Sequence, residues 1–117
     1  MKSANKYHNN PTTIGAIRFD SKKEAARYAE LMLLLRAGEI RRLKLQPQFT
    51  LLESFIAENG ERVRAIRYTA DFSYEKKAGD QWDVVVEDVK STATKTKEYA
   101  MKRKLLRERF GIRIEEV

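Results

Sequence analysis

The alternation of apolar and polar positions along the chain predicts two helices. From Ser21 onward the apolar residues recur at helical spacing, and Glu24 three residues later completes a capping-box signature. The pattern ends at Gly38, a residue favoured just past a helix end, so we expect a helix from about 22 to 37. Helical spacing returns between Thr96 and Phe110, which predicts the second helix.

Period-two patterns predict three strands between the helices and one after them. Phe49 to Ile56 and Val63 to Tyr74 are expected to pair across Asn59-Gly60, a dipeptide typical of hairpin turns. Asp83 to Lys90 (DVVVEDVK) is expected to be buried where it starts and ionic where it ends, and residues 112 to 115 form the last strand. This order predicts an α/β fold with a mixed central sheet flanked by helices.

Length and composition predict one compact domain over residues 1 to 117. Apolar residues make up 42% of the chain and fall in periodic runs, so a core can be buried. Residues 1 to 13 are polar and contain Asn9, Asn10 and Pro11, which predicts a flexible basic arm. The chain has no cysteine, which excludes disulfides and thiolate metal sites.

The apolar runs also bear on location. The longest, Leu31 to Leu35, is far shorter than the roughly 20 residues needed to cross a bilayer. The N-terminal sequence lacks the apolar stretch of a secretory signal. A cytoplasmic protein is therefore expected.

The charge of the chain points to a polyanionic partner. Lys and Arg number 24 against 17 Asp and Glu, a net charge of +7. Much of the excess positive charge lies between Lys90 and Phe110, a segment with eight basic and two acidic residues. We expect five residues of this segment to contact nucleic-acid phosphates: Lys95, Lys97, Arg103, Lys104 and Arg107.

Glu24 occupies a position where an apolar residue would be expected. It falls at the centre of the helical stripe formed by Tyr28, Leu31 and Leu35, so its carboxylate should point inward. The capping box alone would account for it, since a glutamate there bonds back to the backbone of Ser21 and gains from the helix dipole. An inward carboxylate is also a candidate metal ligand.

Asp71, Asp88 and Lys90 are the other candidates. Asp71 interrupts a strand on its polar face, and a solvated surface acid would explain it equally well. Asp88 and Lys90 share a strand face with Val84 and Val86, although a salt bridge at a strand end is the simpler alternative. The neighbouring acid Glu87 points to the opposite face and is expected to pair with a basic residue.

The chemistry that suits these residues is phosphodiester hydrolysis. Two or three carboxylates can hold Mg²⁺, and a nearby ammonium can stabilise the attacking hydroxide and the developing charge. Asp71, Asp88 and Glu24 supply the oxygens, and Lys90 supplies the ammonium. His8 is the only histidine, which excludes a histidine-based zinc site or triad within one chain.

Glu24 in SKKEA, Asp71 in YTADF and the triplet Asp88-Val89-Lys90 in VVVEDVK, taken in this order, resemble the PD-(D/E)XK nuclease superfamily. The likeness is nearest to small phage-encoded proteins with kinship to Holliday-junction resolvases. Ala70 stands where the proline of the motif would be, a position that is loosely kept across the superfamily.

The resemblance implies a restriction-endonuclease-like αβββαβ core and a Mg²⁺- or Mn²⁺-dependent endodeoxyribonuclease. Asp71 and Asp88 would be metal ligands, Glu24 a further acid of the metal shell, and Lys90 the catalytic lysine. The substrate would be DNA, including branched DNA, in the cytoplasm of a host cell.

The sequence leaves two alternative functions and the oligomeric state undecided. A non-catalytic DNA-binding module would share the charge distribution, although three carboxylates near a basic surface would repel phosphate unless a cation intervened. An RNA-directed nuclease of the same fold is a variant. The resemblance and the prevalence of two-fold symmetry suggest a homodimer, with Leu33 and Ala26 on the outer side of the first helix as weak contact candidates.

Overall fold

The structure is a computed structural model that describes residues 11–89 and 96–117. Lys90 and Lys95, the predicted catalytic lysine and one predicted phosphate contact, lie outside the described residues, as do His8 and most of the predicted N-terminal arm.

The described segments form two helices and ten strands. In chain order they are β1 (Thr12–Ile14), β2 (Ile17–Phe19), α1 (Lys22–Arg36), β3 (Ile40–Leu45), β4 (Gln48–Leu52), β5 (Phe55–Ile56), β6 (Arg62–Val63), β7 (Ile66–Thr69), β8 (Phe72–Ala78), β9 (Gln81–Asp88), α2 (Lys97–Phe110) and β10 (Ile114–Glu116).

Both predicted helices are present, and their ends lie within one residue of the predicted bounds. The Ser21 hydroxyl accepts a hydrogen bond from the Glu24 N–H at 3.1 Å, which satisfies a donor of the first turn of α1. Thr96 caps α2 in the same way through Tyr99. Neither helix in the described segments is long and apolar enough to cross a membrane.

A four-stranded mixed sheet forms the centre, in the order β10-β9-β8-β3. β10 runs parallel to β9, whereas β9 with β8 and β8 with β3 are antiparallel. The fold is therefore α/β with a mixed sheet, as predicted. The register pairs Phe72 with Glu87, which brings the preceding Asp71 beside Asp88 at one end of the hairpin.

The two long strands predicted around Asn59-Gly60 are divided into shorter ones. The turn itself is correct and joins β5 to β6, but the first strand separates into β4 and β5, and the second into β6, β7 and β8. β4 pairs with β7 outside the central sheet. The chain changes partner between β7 and β8: the Ala70 N–H donates to the carbonyl of Pro47, next to β4, whereas the Asp71 N–H donates to the carbonyl of Glu87 in β9.

The predicted C-terminal boundary of the flexible arm, residue 13, is wrong. Thr12 and Thr13 belong to β1, which pairs with β2 across the turn at Gly15. Gly15 has φ of +60°, a left-handed conformation that costs glycine little, so the two short strands can fold back on each other. The breakers before Thr12 did not reveal this hairpin.

The core consists of two clusters on opposite faces of the sheet. α1 contributes Leu31 to a cluster with Phe72 and Tyr74, whereas α2 contributes Leu106 to a cluster with Tyr68 and Ala70. The alternating apolar residues from Ile66 to Tyr74 are buried or half-buried, but they do not share one face. The break between β7 and β8 sends the two halves to different helices.

Candidate active site

Asp71 and Asp88 are fixed to each other through the backbone. Asp88 Oδ1 accepts a hydrogen bond from the Asp71 N–H at 3.0 Å, and Asp71 Oδ2 accepts one from the Val89 N–H at 2.7 Å. Asp88 is only 1% exposed. If Asp71 were simply a surface acid, its carboxylate would be free to rotate towards solvent. That alternative does not account for these two hydrogen bonds.

Glu24 reaches the same place from the first turn of α1 and is only 7% exposed, as its position in the apolar stripe predicted. Burial raises the pKa of Glu24 to about 7, and the negative charges of Asp71, Asp20 and Asp88 and a hydrogen bond with Asp71 contribute to this rise. The structure therefore brings together the three predicted acids, which come from one helix and two strand ends.

A pocket of about 130 Å³ opens onto Glu24 and Asp71. Gln46 lines it as well, and its N–H donates to the Asp71 carbonyl at 2.9 Å. Gln46 has φ of +51°, a left-handed conformation that is unfavourable for a residue with a side chain. Sequence analysis did not single out Gln46, since no local pattern marks a non-glycine residue that tertiary contacts hold in this conformation.

Glu87 lies on the other face and forms a separate ionic cluster. Its carboxylate accepts hydrogen bonds from Arg27 Nε at 2.8 Å and Nη2 at 2.6 Å, and from the Tyr74 hydroxyl. The hydrogen bond to Glu87 raises the pKa of Arg27. The pKa of Tyr74 is raised mainly by burial, and the hydrogen bond to Glu87 adds to this rise. The predicted pairing of Glu87 with a basic residue is confirmed, and this acid is not part of the pocket.

Glu24 and Asp71, which line the pocket, and Asp88 beside them have oxygen donors of the kind that suits a hard divalent cation. Carboxylate oxygens are the ligands that Mg²⁺ and Mn²⁺ prefer, and three neighbouring carboxylates are electrostatically unfavourable without a counter-charge. Among the residues that the structure describes, no three acidic, histidine or cysteine side chains form a complete metal-binding group. Two of the three acids, Asp71 and Asp88, have carboxylates that accept hydrogen bonds from backbone N–H groups.

The predicted phosphate contacts of α2 are only partly brought together. Arg103, Lys104 and Arg107 line a groove of about 280 Å³ with Arg113, which sequence analysis missed because it follows the helix. Lys97 is exposed and does not line this groove.

Two of these cations differ in their availability to a ligand. Arg103 bonds Glu116 at 3.2 Å and lies over the ring of Tyr99, whereas Lys104 is exposed and forms no ion pair with a described residue.

The comparisons with known proteins bear on the family. No curated protein and no solved structure matches the chain. Residues 4–115 match the model of a family described as a protein of unknown function, DUF1064. The match covers nearly the whole chain, and the chain therefore belongs to the DUF1064 family.

Proposed function

We propose that this protein is a metal-dependent endonuclease that hydrolyses DNA phosphodiester bonds. The observation that carries the proposal is the meeting of the buried Glu24 and Asp88 with Asp71 beside a pocket. A fold gains no stability from gathering like charges out of water, so such a cluster favours a functional explanation. The PD-(D/E)XK resemblance agrees with it, since these residues hold the positions of the motif acids.

The four candidate residues have distinct proposed roles. Asp71, Asp88 and Glu24 would hold Mg²⁺ or Mn²⁺, and the bound cation would supply charge neutralisation and an activated water. The hydrogen bonds of Asp71 and Asp88 keep their carboxylates oriented before substrate arrives, which lowers the reorganisation that the reaction requires. Lys90, two residues after Asp88, would orient the attacking water with its ammonium group.

The α2 groove would hold the substrate. Arg103, Lys104, Arg107 and Arg113 provide guanidinium and ammonium donors for phosphate oxygens along its length. Contacts of this kind position the backbone without reading sequence, so we expect weak sequence preference. Branched DNA is the proposed substrate form, on the resemblance to junction resolvases.

The test is a cleavage assay with four labelled substrates: a four-way junction, a linear duplex, a DNA single strand and an RNA of the same sequence. We expect cleavage of DNA with Mg²⁺ or Mn²⁺, loss of cleavage with EDTA, and preference for the junction. The Asp71→Asn protein should be inactive. Asp83→Asn, which removes an exposed carboxylate from the far end of β9, is the control and should cleave normally.

Three outcomes would contradict the proposal in different ways. Equal cleavage in EDTA would exclude the metal-dependent reaction, and normal cleavage by Asp71→Asn would show that the activity is a contaminant or lies elsewhere. Cleavage of RNA alone would transfer the activity to the RNA-directed variant.

A non-catalytic DNA-binding module is the second candidate, favoured by the α2 groove, because electrostatics serve binding and cutting alike. The two differ in what Asp71→Asn does. A nuclease loses cleavage and retains DNA binding, whereas a module shows no cleavage in either form and binds DNA without a metal.

Homodimerisation stays a proposal. The side chain of Leu33 is 64% exposed on α1, which fits a contact surface, and Ala26 is exposed on the same helix. Sedimentation equilibrium at micromolar concentration with wild-type and Leu33→Asp protein tests it. A monomer in both would exclude the dimer.

A further inference from the structure

A cluster of arginines lies outside both the acidic pocket and the α2 groove. Arg62, Arg64 and Arg67 line an open groove of about 460 Å³ together with Ser54. All three arginines are exposed, and none forms an ion pair with a residue that the structure describes. The nearby glutamates Glu53, Glu58 and Glu61 do not line it, so the charged residues of the groove are all basic.

The groove is built on a hairpin that the core does not explain. β5 and β6 pair through two residues each and belong to no larger sheet in the described segments. Phe55 and Ile56 are 48% and 67% exposed, so the apolar residues of the hairpin contribute little to the core. An isolated two-stranded hairpin is only marginally stable in water. Its exposed apolar pair next to three arginines indicates a surface that contacts another molecule.

We propose that residues 53–67, the arginine arm, bind the phosphodiester backbone of the DNA strand that enters the acidic pocket. Guanidinium groups pair with phosphate oxygens in a planar, two-point geometry, and the three that line the groove form a track for a polyanion. This inference rests on the proposed nuclease function and gives it a second contact surface besides α2.

The chain itself ties the arm to the pocket. Arg67 precedes Asp71 by four residues, and a fully extended chain of that length spans at most about 14 Å. One DNA strand can therefore reach both Arg67 and the pocket at Asp71, and Arg64 and Arg62 lie farther from Asp71 along the chain. Phe55 and Ile56 offer an apolar surface to sugars or base edges, as two-stranded ribbons do in nucleic-acid grooves.

The test measures DNA binding in EDTA by fluorescence anisotropy over a series of salt concentrations. The triple variant Arg62→Gln, Arg64→Gln, Arg67→Gln removes three charges and keeps polar side chains. We expect at least tenfold weaker binding at low salt and a salt slope lower by up to about 0.9 for each phosphate that is no longer neutralised. The control variant, Arg36→Gln, Lys76→Gln, Lys77→Gln, removes the same charge from exposed positions elsewhere and should retain most of the wild-type slope.

The readouts separate this inference from the nuclease proposal. Suppose that wild-type protein binds DNA but never cleaves it, and that the triple arginine variant still lowers the salt slope of binding. The arginine arm then binds DNA as proposed, and the nuclease proposal fails. If the protein cleaves DNA and the arginine variant and the control variant change the salt slope equally, the proposed role of the arginine arm fails and the nuclease proposal stands.

Two further measurements exclude other occupants of the groove. Inorganic phosphate, compared with chloride at equal ionic strength, should not displace the DNA more strongly, and displacement at millimolar phosphate would indicate a small-anion site instead. Sedimentation equilibrium of a Phe55→Ser, Ile56→Ser variant should match that of the wild type. A dimer that disappears in this variant would assign the hairpin to self-association and overturn the proposal.

Discussion

The backbone N–H of Asp71 donates to the carboxylate of Asp88 at 3.0 Å, so one candidate ligand is oriented by the main chain of the other. The relationship exists because β8 and β9 pair antiparallel in a register that sets the two residues side by side. Its consequence is that charge and geometry at this site can be changed separately by substitution.

Asp88→Asn should abolish cleavage without unfolding the protein. Asparagine keeps an oxygen that can accept the Asp71 N–H bond, but it lacks the negative charge that a cation requires. Loss of outer-shell partners alone costs metal sites about 10- to 100-fold, so losing a ligand should cost at least about 100-fold in kcat/KM. Urea unfolding provides the fold control. A folded variant with wild-type activity would exclude Asp88 from the site.

Lys90→Ala should lower cleavage while leaving DNA affinity nearly unchanged. The reason is that one ammonium beside the reacting group acts mainly on the developing charge, whereas binding draws on many phosphate contacts. Cleavage rates and anisotropy titrations on the same protein check it. Lys76→Ala is the control, and equal effects of the two substitutions would leave Lys90 without a catalytic role.

Glu24→Gln should change how stability depends on pH in EDTA. The folded-state pKa of Glu24 is raised to about 7 from its ordinary value of 4.5, chiefly by burial. The folded state thus binds the proton more tightly than the unfolded chain does. Its stabilising contribution is fully present below pH 4.5 and is lost as pH rises through 7.

Thermal melts of wild-type and Glu24→Gln protein at pH 5 and pH 8 measure this effect. The variant should gain stability relative to wild type as pH rises, because glutamine carries no charge to bury. Glu39→Gln, at an exposed position after α1, should follow the wild-type profile. A constant difference between Glu24→Gln and wild type would contradict the buried titration.

Arg27→Met should destabilise the fold. Glu87 is 1% exposed and depends on the two Arg27 hydrogen bonds, so removing the guanidinium leaves a buried charge with only Tyr74 beside it among the described residues. Breaking such a buried pair costs about 3 to 5 kcal/mol.

Urea denaturation of Arg27→Met and Arg41→Met separates the buried pair from an exposed one. Arg41 pairs with Glu75 at 2.6 Å but its side chain is 45% exposed, so its loss should destabilise the protein much less than the loss of Arg27 does. Similar decreases in the free energy of unfolding of the two variants would contradict the prediction that burial of Glu87 makes its ion pair more important for stability.

The triple variant Lys97→Gln, Lys104→Gln, Arg107→Gln should weaken DNA binding and flatten its salt dependence. The slope should fall by about 0.9 for each phosphate that the variant no longer neutralises. Because Arg113 lines the α2 groove and Lys97 does not, Arg113→Gln alone should weaken binding more than Lys97→Gln alone. An unchanged slope in the triple variant would remove α2 from the substrate path.

The sequence by itself determined the helices, the Ser21 cap of α1 and the inward position of Glu24. These features depend on residues three or four apart, where capping and apolar periodicity act locally. It also predicted the Asn59-Gly60 turn and the separation of Glu87 from Asp88, because neighbouring strand residues point to opposite faces.

Only the tertiary structure decided how the strands are divided and which side chains meet. At the break between β7 and β8 the hydrogen-bond partner changes from Pro47 to Glu87, each more than 15 residues away, and no local pattern contains that information. The same holds for Gln46 beside the acids and for Arg113 beside α2. The repeat of arginines in RVRAIR was visible in the sequence, but its groove depends on how the short hairpin meets β7. Local periodicity selects elements and faces, whereas long-range pairing places carboxylates from three elements side by side.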